Sequence, residues 1–270
     1  MKYTILGSSG FIGTYLKTYL EEKSLECFLP PKNYSFSKDE NLGHVFYCIG
    51  LTSDFRTRPM ETVKAHVCKL IEVLENSSYE SFLYLSSTRV YNGSKSGDEE
   101  SALSVKSSDY SDLYNISKLM GEAVCLTIPN YKIRIARLSN VIGDDFNSDN
   151  FLFSLIRDAL DKQMIELGVS SKSEKDYISV TDVVQLLLLI SSKGMCRIYN
   201  VSSGQNISNE QLINEIKKYT GCDTNYTESQ SSLNFPLISN DRIRNEFDFE
   251  VKSILPDIKL LIENYKAKKG

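Results

Sequence analysis

The sequence predicts an α/β fold, a doubly wound parallel sheet with helices on both faces. Three observations carry this. Short apolar, β-branched runs alternate with amphipathic stretches through the first 140 residues, the rhythm of strand–helix units. A glycine-rich turn lies between the first such run and the first such stretch. No internal repeat or low-complexity linker breaks the pattern.

The elements follow in order. "KYTIL" (2–6) reads as a buried strand, and a helical pattern runs from the glycine turn to about Lys23. "LECFL" (25–29) is a second strand, stopped by Pro30 and Pro31. "HVFYCIG" (44–50) is a further strand, and 59–76 places Val63, Val67, Leu70, Ile71 and Leu74 at helical spacing. "SFLYLSS" (81–87) is a strand, 111–128 a helix ended by Pro129, and "YKIRIARLS" (131–139) a strand. Beyond Asn140 the rhythm loosens. Helices are expected at 147–162, at 179–192, and at 208–221 with Ser208 as N-cap and Gly221 as stop.

Composition narrows the function. The 270 residues carry a net charge of −4 and no basic block except the tail "KAKKG", so no nucleic-acid surface is expected. Six scattered cysteines without a CxxC pair, and only His44 and His66, argue against a metal site. The longest apolar run, 183–190, is too short to span a bilayer. No charged-then-apolar leader opens the chain, and a cytoplasmic protein without membrane partners is expected.

Gly7, Gly10 and Gly13 stand at G-x-x-G-x-x-G spacing between strand and helix. Residues without Cβ let the backbone approach a pyrophosphate, and the helix N-terminus offers it amide donors. The candidate cofactor contacts are Gly7, Ser9, Gly10, Phe11, Ile12 and Gly13, with Cys48 and Gly50 after the 44–50 strand. No carboxylate ends the second strand to take a ribose 2′-hydroxyl, whereas Lys32 follows it. A cation there suits a 2′-phosphate, so NADP(H) is favoured over NAD(H).

Tyr114 and Lys118 lie four apart, on one face of a helix. Five such Tyr/Lys pairs occur in the chain, so spacing alone distinguishes nothing. Position does. In a doubly wound sheet chemistry lies beyond the C-terminal strand ends. Only Tyr114/Lys118 combines a helix with a preceding strand that ends in hydroxyls, "YLSSTRVY". A neighbouring ammonium lowers a phenol's pKa, and the phenol can then exchange a proton with a carbonyl as hydride moves.

The glycine turn, the strand-end serines and the Tyr/Lys helix, in this order, resemble the extended short-chain dehydrogenase/reductase family. The particular branch it resembles is the NAD(P)-dependent epimerase/dehydratase type acting on nucleotide sugars. "YNISKLMGE", "RLSNVIG" (137–143), "KDYISVTDVV" (175–184) and "IYNVSSGQNIS" (198–208) resemble four of its segments in sequence order. The resemblance implies a Rossmann domain over 1–140 and 175–200, and a substrate-binding lobe over 141–174 and 201–270. It implies catalytic Ser87, Tyr114 and Lys118, with Ser86 as the fallback for Ser87, and substrate contacts at Thr88 and Asn140. Arg56 is a candidate phosphate or sugar contact. The family's dimers pair the 59–76 and 111–128 helices, so a homodimer is expected.

Departures from the pattern refine this. Dehydratases of the family carry Asp-Glu directly after the catalytic Ser/Thr, and here those positions are Thr88 and Arg89. Dehydration is therefore not expected. The 13 residues between Pro30 and His44 are too few for a crossover helix and a third strand, so that strand is expected to be reduced or missing. The leading expectation is an NADP(H)-dependent reductase of a nucleotide-linked ketosugar, acting at C4, in surface-polysaccharide deoxysugar synthesis. An epimerase using transient oxidation is the alternative. A non-catalytic dinucleotide-binding regulator is the third reading.

Overall fold

The computed structural model describes residues 1–52, 54–146, 148, 150–226 and 235–269. In chain order the first half comprises β1 (Lys2–Leu6), α1 (Phe11–Glu22), β2 (Glu26–Phe28) and β3 (His44–Tyr47). A long helix follows, α2 (Pro59–Val63) and α3 (Lys69–Asn76), joined by a π turn at Lys64–Cys68. Then come β4 (Ser81–Ser87), a 3-10 turn (Thr88–Tyr91), α4 (Asp112–Thr127) and β5 (Ile133–Leu138). The second half has β6 (Asn140–Ile142), α5 (Phe151–Asp161), β7 (Met164–Leu167), β8 (Glu174–Ser179) and α6 (Val180–Lys193). It ends with β9 (Ile198–Val201), β10 (Asn206–Ser208), α7 (Asn209–Thr220), β11 (Asp223–Tyr226), α8 (Asp241–Phe247) and α9 (Asp257–Lys269).

The main sheet has the order β2-β1-β3-β4-β5-β9, parallel throughout. This is a Rossmann-like doubly wound sheet. Between Phe28 and His44 the chain makes turns and one isolated bridge, Asn41 to Ser78, with neither helix nor strand. β2 is consequently an edge strand. Chain order reverses around β1, and the crevice between β1 and β3 is where such sheets receive ligands.

Both faces of the sheet are covered. One core layer joins α1 and α6 through Leu16, Leu20, Val183, Leu187 and Ile190. The other joins α3 and α4 through Leu70, Val73 and Cys125. A separate core holds the lobe together, with Leu155, Ile156, Leu212, Ile216 and Ile258 drawn from α5, α7 and α9. Small sheets β10-β8-β6 and β11-β7 complete it.

Local chemistry explains the elements that frame the crevice. α7 has the expected ends. Ser208 and Gln211 form a capping box, and Gly221 stops the helix in the left-handed conformation. α5 begins at Phe151, with Asn150 as its cap. Asn147 and Asp149, within the span expected for that helix, lie outside the described residues. α4 buries Tyr114, Ser117, Lys118, Gly121, Glu122 and Cys125, the i, i+3, i+4, i+7 stripe of a helix packed on a sheet. In the glycine turn, Gly7 has φ +84°, which side chains with a Cβ seldom adopt. A Cβ at Gly13 would lie 2.2 Å from the Gly7 carbonyl oxygen, so only glycine lets α1 start so close to β1. Among the described residues no helix is long and apolar enough to cross a membrane.

Candidate active site

The C-terminal strand ends open into a cleft of about 630 Å³. Gly10, Phe11 and Ile12 line it at the start of α1, and Cys48 and Gly50 after β3. The N-terminus of α1 has no side-chain cap and no acidic residue in its first turn, so its amides and positive dipole end suit an anion. These features fit a dinucleotide pyrophosphate. Gly7, Ser9 and Gly13 are not among the lining residues. Lys32 is exposed in a turn and does not line the cleft.

Ser87, Tyr114 and Lys118 all line the cleft. The two strand-end serines separate by partner. Ser86 donates to Glu122 Oε1 at 2.5 Å and is buried. Ser87 caps the 3-10 turn, accepting from the Arg89 amide at 3.2 Å, and its hydroxyl is near enough to the Tyr114 phenol to pull the phenol's pKa down. The sheet alternation that turns Ser86 to α4 leaves Ser87 facing the cleft.

Tyr114 is 4% exposed. Its ring lies 5.3 Å from Phe55 and 5.4 Å, edge-on, from His66. Burial pushes the phenol up to about 12, while the Ser87 hydrogen bond and the Arg89 charge pull it down. The cation acting on the phenol is thus Arg89, where the sequence pointed to Lys118. The reason lies in Lys118's own surroundings. Its ammonium donates to the Leu85 carbonyl at 2.8 Å and is 4% exposed. Burial brings it down to about 7, against the opposing pull of Glu122 and Cys48. Gly50 leaves room for this ammonium, since a Cβ there would meet Lys118 Nζ at 3.4 Å and His66 Nε2 at 3.2 Å.

The π turn sets His66. The Leu51 amide donates to His66 Nε2 at 3.2 Å, which leaves the ring proton on Nδ1. Nδ1 then donates to Ser117 Oγ at 2.8 Å, and the Ser117 hydroxyl donates to the Tyr114 carbonyl at 2.9 Å. Burial, then the charge of Lys118, brings His66 down to about 3, so the ring is neutral at ordinary pH. This chain ties the loop after β3 to the helix that carries Tyr114 and Lys118. π turns recur where a helix must re-aim side chains at a site.

Cations gather on the outer side. The Arg56 guanidinium carbon is 4.5 Å from the Phe55 ring centre, and that of Arg89 5.3 Å. Arg89 is also 5.9 Å from the Tyr114 ring centre. Burial, then the charge of Arg56, pushes Arg89 down. Across the cleft, Lys175 is pushed down by burial and then by Arg89. Asn140 lines the same side and donates through Nδ2 to the Asp176 carbonyl at 2.8 Å. Thr88 is buried at the cleft wall.

Phe55, Arg89, His66 and Lys175 were not among the expected site residues. Arg89 carried a signal, because it directly follows Ser87-Thr88 where dehydratases have an acid. Phe55 sits beside Arg56 in an otherwise polar loop.

A model of the NAD dependent epimerase/dehydratase family matches residues 34–202. No curated protein sequence matches the chain. Solved structures do match in fold. UDP-glucose 4-epimerase of Thermotoga maritima with UDP-glucose is similar with a TM-score of 0.82 at 17% identity, covering 100% of both chains. RMD of Pseudomonas aeruginosa complexed with NADPH gives 0.79 at 20% identity, covering 99% of both. The dTDP-glucose 4,6-dehydratase of Bacillus anthracis with NAD gives 0.77 at 17% identity, covering 99% of this chain and 97% of that one.

Proposed function

The chain belongs to the NAD dependent epimerase/dehydratase family, and we propose that it is an NADP(H)-dependent reductase of a nucleotide-linked ketosugar, with Ser87, Tyr114 and Lys118 at its catalytic centre. The observation that carries this is the meeting of a protonated phenol, the Ser87 hydroxyl and Lys118 in one cleft, with Thr88 and Arg89 where an acid pair would be needed to remove water from a sugar.

When bound, a nicotinamide dinucleotide supplies the hydride. Gly10 and the α1 amides would hold its pyrophosphate, and Lys118 its ribose. Tyr114 gives its proton to the carbonyl oxygen, to which Ser87 also donates. A phenol near 12 is protonated at pH 7, which is the state reduction requires. Asn140 and Lys175, at the two places where the chain passes between domain and lobe, would face the substrate's diphosphate. Residues 1–140 and 175–200 would bind the cofactor, and 141–174 with 201–270 the substrate.

The preference for a 2′-phosphate rests on the missing carboxylate after β2 and on Lys32. A homodimer through α2, α3 and α4 is supported by Met60 and Met120, 68% and 52% exposed on those helices. A cytoplasmic role in supplying deoxysugars for surface polysaccharides fits this chemistry.

The test is NADPH consumption with nucleotide-linked 4-ketosugars. A reductase oxidises one NADPH for each sugar reduced. An epimerase working through transient oxidation uses the same three side chains and shows no net change. Tyr114→Phe is expected to lower kcat at least about a hundredfold, with NADP+ affinity retained. Unchanged turnover in that variant would sink the mechanism.

A further inference from the structure

We propose that Arg89 and Arg56 form an anion subsite for a carboxylate on the reacting sugar, so that the substrate is an acidic nucleotide sugar of the hexuronate type. This rests on the nucleotide-sugar reading above, narrows its substrate to a C6 acid, and replaces the deoxysugar product with an acidic sugar.

The two guanidinium groups converge on one ring, Phe55, at 4.5 and 5.3 Å from its centre. Phe55 is buried and packs against Tyr114. The pair is therefore held at the reacting group by an aromatic platform, which favours planar cations. Both residues line the cleft.

Among the described residues no carboxylate touches either group and neither forms an ion pair, although the charges of Asp112 and Asp109 favour Arg89 from a distance. Their polar contacts are long and neutral. Arg56 Nη2 donates to Ser111 Oγ at 3.4 Å, and Arg89 Nη2 to the Ser111 carbonyl at 3.4 Å. The buried Arg89 Nε has no partner. The nearby acids are engaged elsewhere: Asp109 accepts from the Ser111 amide, and Asp112 from the Lys106 amide and Asn115. Two like charges drawn together beside a buried ring, with donors unused, are stabilised by an anion that enters the cleft.

Position selects which anion. The substrate's diphosphate lies a full sugar ring away from the reacting carbon. Arg89 lies 5.9 Å from the ring of the residue that serves that carbon. Its anion is therefore on the sugar itself. Lys175, which also lines the cleft, remains for the diphosphate.

The experiment titrates NADP+-saturated enzyme with matched neutral and acidic probes by calorimetry. The pairs are UDP-glucose with UDP-glucuronate, dTDP-glucose with dTDP-glucuronate, and GDP-mannose with GDP-mannuronate. In at least one pair the acid is expected to bind about tenfold or more tightly. Arg89→Gln, and independently the exposed Arg56→Gln, should each cut that ratio about fivefold or more while NADP+ affinity shows the fold intact. Arg89→Lys should restore only part of it, because a bidentate fork is lost. Equal binding of neutral and acidic members overturns the carboxylate subsite and leaves the nucleotide-sugar reading standing. So does an equal loss of both members in Arg89→Gln, which would give the arginines to the diphosphate. Failure of every pair to bind overturns both readings.

Discussion

Arg137 and Arg89 are both drawn into the protein interior, yet they are treated in opposite ways. Arg137, on β5, meets Glu122 of α4 at 2.7 Å, each side chain 4% exposed. It also donates to the Tyr91 hydroxyl at 2.7 Å and to the Glu99 carbonyl at 3.3 Å. Tyr91 in turn donates to Asn200 on β9. Hydrogen bonds and the charge of Glu122 hold Arg137 well above the ordinary arginine range despite burial. Arg89, on the cleft side, has no carboxylate in contact among the described residues, and burial and Arg56 push it down against the more distant charges of Asp112 and Asp109. A cation whose partners are all in the chain serves the fold. A cation left without a paired acid beside a cleft is, under the subsite proposed above, one that serves what the chain binds.

The largest effect should come from breaking the satisfied region. Arg137→Met leaves Glu122 buried without its paired cation, at a cost of about 3–5 kcal/mol. For a chain of this size that lowers Tm by about 10 °C. Calorimetric or dichroism melts check it. Adding Glu122→Leu to Arg137→Met removes both charges and should recover much of the loss. A double variant no better than the single would mean that packing, and not an orphaned charge, sets the cost.

The same substitution logic applied to the cleft should do little to the fold. Arg89→Gln removes one of two repelling guanidinium groups and two cation–π contacts, over Phe55 and Tyr114, terms of opposite sign. The change in stability is expected to stay within about 1 kcal/mol. A loss in urea unfolding as large as that of Arg137→Met would place Arg89 in the scaffold and erase the contrast.

This division explains how much could be read from the chain alone. The strands, the glycine turn and the buried stripe of α4 follow from periodicity, which depends on neighbours in sequence. Ser87 and Tyr114 were singled out by their order along strand and helix ends, and both line the cleft. Arg89 was visible as a residue out of pattern, but its surroundings depend on Phe55, 34 positions earlier, and on the lack of an acid in direct contact among the described residues. His66 depends on a π turn, for which the sequence 64–68 has no local signature. The lowering of Lys118 needs the depth of the Leu85 carbonyl and the closeness of Gly50. Such features are made by tertiary approach, which spacing does not encode.

Lys118 gives the finest test of the contrast, because it is a cleft cation whose charge the fold itself suppresses. Its folded value of about 7 lies below the ordinary value of about 10.4. Between these the unfolded chain holds a proton that the folded chain gives up. This group's contribution to stability is therefore full above about 10.4 and is lost as pH falls through 7. Cofactor binding has the opposite sign. An ammonium suited to the ribose hydroxyls and the nearby phosphates is only half formed at pH 7 in the free protein, so binding should draw in a proton. NADP+ affinity is expected to fall by up to about tenfold per unit from pH 7 to 9, above the range where the cofactor's own phosphate titrates. Calorimetry in two buffers of different ionisation heat should show about half a proton taken up at pH 7. Lys118→Met should bind more weakly with a flat profile. Flat affinity without proton uptake in the unaltered protein would mean that Lys118 stays charged, and that the cleft supplies the counter-charge the Arg137 region supplies for itself.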